Sequence, residues 1–172
     1  MNLLLAFDES ECAEAALGAL IDQFRPDGTA VRVMHVIEWP HDLPTSVAFA
    51  AGPSAAECVL RAKADRRRQG HALLARAVGR LQRAHFSATA HLVEGGPRQA
   101  IVAMAADWPA DAIVIGSHGR HGLDRALLGS VSDGVVRHAP CSVHVVRARD
   151  RTRAVTAKPS LLTTVKGEGV QP

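Results

Sequence analysis

The chain has 172 residues, 47% hydrophobic but only 3% aromatic with no tyrosine, and a formal net charge of +3. That length accommodates one domain with a sizeable core without disulfides or a metal, and a core of Ala, Leu, Val and Ile argues against an aromatic-rich β-sandwich. Much of the basic excess falls between Arg147 and Lys166, and no basic stripe interleaved with aromatic rings is present, which argues against nucleic-acid binding.

Residues 2–7, NLLLAF, form a short apolar run that stops at Asp8-Glu9-Ser10-Glu11, as a buried parallel strand does. No basic leader precedes it, and no later stretch approaches the roughly 20 apolar residues of a membrane span. A cytoplasmic protein without a membrane partner is therefore expected. Ala13, Leu17, Leu20, Ile21 and Phe24 then recur at helical spacing, and Pro26-Asp27-Gly28 breaks the chain before a second β-branched run, AVRVMHVI (30–37).

From Glu38 to Pro53 three prolines indicate an irregular loop. Ser54-Ala-Ala-Glu57 has the spacing of a capping box before a long helix with Leu73, Leu74, Ala77, Val78 and Leu81 on one face. Gly70 and Gly79 either weaken that helix or mark close packing. Its Arg66-Arg67-Arg68 run reads as a solvated face. SATAHLVE (87–94) is the third strand. Gly95-Gly96-Pro97 turns into a helix whose buried stripe is Ala100, Ile101, Met104, Ala105 and Trp108, and Pro109 ends it.

DAIVI (111–115) is the fourth strand, and GSHGRHGLDRALLGS (116–130) follows it. Ser130-Val-Ser-Asp133 repeats the capping spacing before a helix ending near His138-Ala139-Pro140, and SVHVVR (142–147) is the fifth strand. Five strands alternating with four helical segments predict an α/β fold: a doubly wound, Rossmann-like five-stranded parallel sheet with helices on both faces. It occupies residues 1–148, and 149–172 are expected to be a disordered tail.

Ligands of such sheets bind outside the carboxyl ends of the strands, where the chain order reverses. With the reversal between strands one and four, Asp8-Glu9-Ser10 and the glycine segment share one crevice. Lacking a Cβ, Gly116 and Gly119 can take positive φ and bring amides up to an anion. Gly129-Ser130 sits at a helix start whose free N–H groups and dipole favour phosphate, with the Ser130 hydroxyl as a further donor.

As bare spacing, glycines 116, 119, 122 and 129 fit ordinary turns equally well. A GxGxxG fingerprint would need glycine at His118, no Gly-Lys pair opens a helix, and Ser117 directly after Gly116 excludes a GxSxG elbow. His118 and His121 invite a metal, but no Asp, Glu or Cys at ligand spacing completes a site. Cys12, Cys58 and Cys141 form no CxxC pair and read as small hydrophobes in a reducing compartment. Asp8 suits a helix cap, a ligand contact, or both. His35 reads as a satisfied strand residue, and Arg120 and Arg125 either flank the cradle or lie on an exposed face.

The pattern Gly116-x2-Gly119-x9-Gly129-Ser130, with FDES (7–10), HVIE (35–38), GGP (95–97), DAIVIGS (111–117) and APCSVHVVR (139–147), resembles the universal stress protein family in its ATP-binding branch. The resemblance spans residues 1–148 and implies an adenine nucleotide alpha hydrolase-like fold. It implies that Asp8 lies near the ribose and metal-bridged phosphates, with Ala6 and Val36 beside the adenine. It further implies that the backbone of Gly116, Ser117, His118, Gly119 and Gly129, with the Ser130 hydroxyl, holds the phosphates. A homodimer joined along the fifth strand is implied too.

Glu9 departs from the family by adding a second carboxylate, unfavourable near phosphates unless Mg²⁺ intervenes. The expected protein is a cytoplasmic stress-response regulator that binds ATP (or AMP or ADP) with Mg²⁺, has no catalytic residue, and hydrolyses ATP slowly at most. One alternative is an interaction module with an empty crevice. An adenylyl-transferring enzyme ranks last, because it wants histidines where Asp8-Glu9-Ser10 stands.

Overall fold

In the computed structural model, residues 1–39, 53–119 and 128–148 are described. The expected irregular loop between Glu38 and Pro53, the readings of Arg120, His121, Gly122 and Arg125, and the tail 149–172 lie largely or wholly outside them.

Strand β1 (Asn2–Ala6) is central, flanked by β2 (Ala30–Ile37) and β4 (Ala112–Gly116); β3 (Ser87–Glu94) and β5 (Ser142–Val146) are the edges. All four pairings are parallel, giving the order β3-β2-β1-β4-β5. The helices are α1 (Glu11–Gln23), α2 (Pro53–Arg83), α3 (Pro97–Asp107) and α4 (Ser130–His138). Unbroken apolar runs suit β1 and β4 because helices cover both faces there: Leu3, Leu4, Leu5, Ile113 and Val114 are all at most 1% exposed.

The pleat sends alternate residues to two separate cores. Leu3, Leu5, Val31 and Val33 pack with Leu17 and Leu20 of α1 and Leu74 and Leu81 of α2. Leu4, Ala6 and Met34 pack with Ile101 and Ala105 of α3 and Val135 of α4. The doubly wound expectation thus holds, with the reversal at β1, between β2 and β4.

Local expectations needed correction at the helix ends. Ser10, not Asp8, caps α1: its hydroxyl accepts from Ala13 N at 3.1 Å. Ser54 lies inside α2 rather than capping it, and Glu57 pairs forward with Arg61 at 2.7 Å. Ser130 is the first residue of α4, and its N-cap is Gly129, without any side-chain cap. Asp133 pairs with Arg137 instead, which holds its carboxyl below the usual range.

Of the two glycines in α2, Gly70 marks close packing, since a Cβ there would sit 2.7 Å from Leu92 Cδ1. Gly79 faces open space apart from the distant end of Arg83. The arginine run is a solvated face, as expected, and it also makes two contacts across the surface. Arg66 donates to the Glu38 carbonyl and Arg67 pairs with Glu94, tying α2 to the ends of β2 and β3.

Candidate functional site

The two loops that sequence order separates by a hundred residues meet where the sheet reverses. Past β1, Asp8 turns back on its own loop: Oδ1 accepts from Ser10 N at 3.0 Å and from Ser10 Oγ at 2.5 Å. Ser10 Oγ also lies 3.2 Å from the His118 carbonyl, bridging to the segment after β4. The other oxygen, Oδ2, lies against Gly119, 3.1 Å from where a Cβ would stand.

Neither Gly116 nor Gly119 takes the expected positive φ; among the described glycines only Gly28 and Gly95 do. Close approach is what demands glycine here. A Cβ on Gly116 would lie 2.7 Å from Cys12 C and 2.9 Å from Ala13 N, so the end of β4 rests directly on the first turn of α1. Gly129 packs over the turn at Ser117 and His118, with its N–H bonded to the Ser117 carbonyl at 2.8 Å.

A cleft of about 340 Å³ opens at this junction, within the size range of small-molecule sites. Ala6, Asp8, Val36, Gly116, His118, Gly119, Gly129 and Ser130 all line it. Ser117 does not: its side chain is 1% exposed and turned toward Cys12 and His118. Glu9 is exposed and absent from the lining, where Glu38 is the acidic residue present besides Asp8. No lysine or arginine appears among the described lining residues.

At one end of the cleft stands the amino terminus of α4. The first intrahelical bond runs from Asp133 N to Gly129 O at 2.9 Å, leaving the N–H groups of Ser130, Val131 and Ser132 without helical acceptors. With no side-chain cap, those donors and the positive end of the helix dipole remain for an anion.

At the other end β2 outlasts β1. Its last β1 contacts are the Ala6–Met34 pairing and the bond from Phe7 N to Met34 O at 2.8 Å. In a parallel ladder alternate residues face alternate neighbours, so Val36 turns its main-chain N–H and C=O toward the side that β1 has left. His35 donates Nδ1–H to the Phe7 carbonyl at 2.8 Å, satisfying that histidine as expected and using the acceptor next to Val36. Met34, Ile101, Ile115 and Pro97 form apolar walls around this end.

Several contributors were not singled out from sequence. Ser132 is buried, with Oγ 2.7 Å from the Ser117 carbonyl and 2.9 Å from that of Gly129, so one hydroxyl fastens α4 to the turn after β4. Its signal was present in Ser130-Val-Ser-Asp133 but read as capping. Ile101 and Pro97 were visible only as a core stripe and a helix start. Among the described residues, no group of three or more His, Cys, Asp or Glu could hold a metal ion, and no helix is long and apolar enough to cross a membrane.

The sequence profile described as the universal stress protein family matches residues 1–147. The chain belongs to the universal stress protein family. A universal stress protein of Methanothermobacter thermautotrophicus is 48% identical over 54 residues, covering 31% of this chain and 36% of that one. The matched stretches thus span well under half the length of the first curated relatives, as they do for a Coxiella burnetii homologue (44%).

Among solved structures, that of protein MJ0577 superposes with a TM-score of 0.68 at 26% identity, covering 87% of this chain and 96% of that one. A family member from Arabidopsis thaliana, solved with AMP bound, has a TM-score of 0.60 at 18% identity, with 91% and 97% covered. A universal stress protein in complex with cAMP gives 0.58 at 19%, with 87% and 98% covered. These structures share the five-stranded α/β fold of the universal stress proteins.

Proposed function

We propose that this chain is an adenine-nucleotide-binding regulatory protein that takes ATP with Mg²⁺ in the cleft at the end of β1. The observation carrying the reading is that one cleft joins an uncapped helix amino terminus to an unpaired stretch of strand edge. The first offers three main-chain donors to phosphates. The second offers Val36 N–H and C=O, a donor and an acceptor side by side, which suits the Watson–Crick edge of adenine between apolar walls.

Asp8 stands between the two ends, its Oδ2 without a partner among the described residues. That oxygen suits a ribose hydroxyl, and together with the phosphates it would hold Mg²⁺, which is commonly bound through one or two carboxylates plus substrate phosphates. Bound Mg²⁺ supplies charge neutralisation of the phosphate tail. The AMP and cAMP complexes of fold neighbours support an adenine nucleotide as the ligand class.

Two chains pair along β5 in this reading. Its outer edge has no strand partner among the described residues, and such edges invite pairing with another strand. The protein works in the cytoplasm as a sensor rather than a catalyst.

Native mass spectrometry of the purified protein tests both points, with acid release and chromatography to identify the small molecule. A dimer carrying adenine nucleotide is expected. A protein that is empty and shows no affinity at millimolar ATP would overturn the nucleotide reading and leave an interaction module on the same fold.

A further inference from the structure

We propose that His118 holds the ligand with its ring as well as its main chain, Nε2–H donating to a phosphate oxygen while Nδ1 accepts from the Ser117 hydroxyl. This rests on the nucleotide reading above and adds a side-chain contact to a cradle otherwise built from backbone.

His118 lines the cleft, yet its Nε2 is shielded from water and has no hydrogen-bond partner among the described residues. Buried polar atoms nearly always find one, and an exception asks for a missing partner. The other ring nitrogen is engaged: Nδ1 lies 3.1 Å from Ser117 Oγ, which in turn lies 3.6 Å from Cys12 Sγ. Ser117, at the middle of this row of three heteroatoms, is itself buried.

The protons in the row can be arranged in two ways. If the Cys12 thiol donates to Ser117 Oγ, the Ser117 hydroxyl donates to Nδ1, and the imidazole proton resides on Nε2. If the row runs backwards, Nδ1–H donates to Ser117 and Nε2 is a bare acceptor. Phosphate oxygens of a nucleotide are chiefly acceptors at neutral pH, so only the first order makes a bond to them.

Phosphate rather than base is the partner because of where His118 sits. Its Cα lies 3.4 Å from the position a Gly129 Cβ would take, directly beneath the open first turn of α4. Its carbonyl is reached by Ser10 Oγ from the Asp8 loop. The adenine end, at Val36 and Ile101, belongs to other strands and helices of the cleft wall. Cys12 and Ser117 are positioning residues in this arrangement, since they act through the ring.

Calorimetric titration of the full chain and two variants with adenosine, ADP and ATP tests the proposal. Wild type binds ADP and ATP more tightly than adenosine. His118→Phe loses about tenfold in affinity for ADP and ATP, the size of one hydrogen bond to a charged group, and keeps its affinity for adenosine. His118→Gln, whose amide restores a donor near the Nε2 position, recovers most of the loss.

Equal losses for adenosine and ATP in His118→Phe, or none for either, overturn the role of the ring while leaving nucleotide binding standing. No binding of any of the three by wild type overturns the nucleotide reading itself, and this inference with it. Should His118→Phe not fold, long-range ¹⁵N spectra of wild type decide: the Nε2–H tautomer must be present, and its signal must move with ADP but not with adenosine.

Discussion

Replacing Gly116 and Gly119 separately by alanine should produce opposite defects, although both glycines belong to one motif. On Gly116 the new methyl would lie 2.7 Å from Cys12 C, 2.9 Å from Ala13 N and 2.9 Å from Cys12 Cβ. None of these atoms is the free end of a side chain, so either the start of α1 or the end of β4 must move. Overpacking of this kind costs about 1–3 kcal/mol, which lowers the melting midpoint of a domain this size by roughly 2–12 °C.

On Gly119 the methyl meets, among the described residues, only Asp8 Oδ2, at 3.1 Å, and that oxygen needs to give by a few tenths of an ångström while Oδ1 stays on Ser10. Stability should change by no more than about 0.5 kcal/mol, but the methyl and the displaced oxygen enter the cleft. ATP affinity should then fall about tenfold, or roughly 1.4 kcal/mol. Calorimetric melting of the ligand-free proteins, followed by ATP titration of each, separates the two quantities. If Gly119→Ala melts as early as Gly116→Ala, or if Gly116→Ala melts like wild type, the assignment of one glycine to packing and the other to the site is wrong.

Two other outcomes follow from the frame of the domain. Helix α2 closes with His85 at φ 67, its N–H on Gln82 O and the Phe86 N–H on Leu81 O, a Schellman cap normally given to glycine. The left-handed conformation costs an L-residue roughly 1–2 kcal/mol, so His85→Gly should raise stability by about 1 kcal/mol in urea melts; an unchanged or earlier transition would refute this.

Burial, with the nearby Arg32 guanidinium adding to it, lowers the pKa of His91 below its ordinary 6.5. The folded chain therefore holds fewer protons than the unfolded chain in the window just below pH 6.5. Stability should fall as the pH drops from there through the lowered folded value and be flat in this respect above it. His91→Gln should flatten that slope, and an identical pH profile in the variant would discard the assignment.

The layout of the fold was legible because its signals are local and redundant. Uninterrupted apolar runs gave β1 and β4, helical stripes gave α1 to α3 and capping spacing gave α4, and their alternation led to a sheet reversing at β1, which brought Asp8 and the glycine segment together. Less legible was everything decided by atoms from elsewhere in the chain. Ser54 and Ser130 carry capping spacing, but Ser54 is the second residue of α2 and Ser130 the first of α4, so both lie within their helices. Asp8 looked like a cap and instead holds the cap, Ser10.

The glycines were expected to supply unusual dihedral angles and instead supply empty space, which depends on α1 lying against β4. Likewise, Val36 faces the cleft only because β1 stops pairing at Ala6 while β2 continues to Ile37. A difference in strand length across a non-local pairing leaves no mark in either strand's own residues.

The absence of any described lysine or arginine from the cleft lining, beside the carboxylates of Asp8 and Glu38, bears on how the ligand arrives. Over the described lining, attraction for an anion comes from backbone dipoles, which act within a few ångströms, whereas a basic funnel acts at a distance. That part of the cleft selects at contact, by fit.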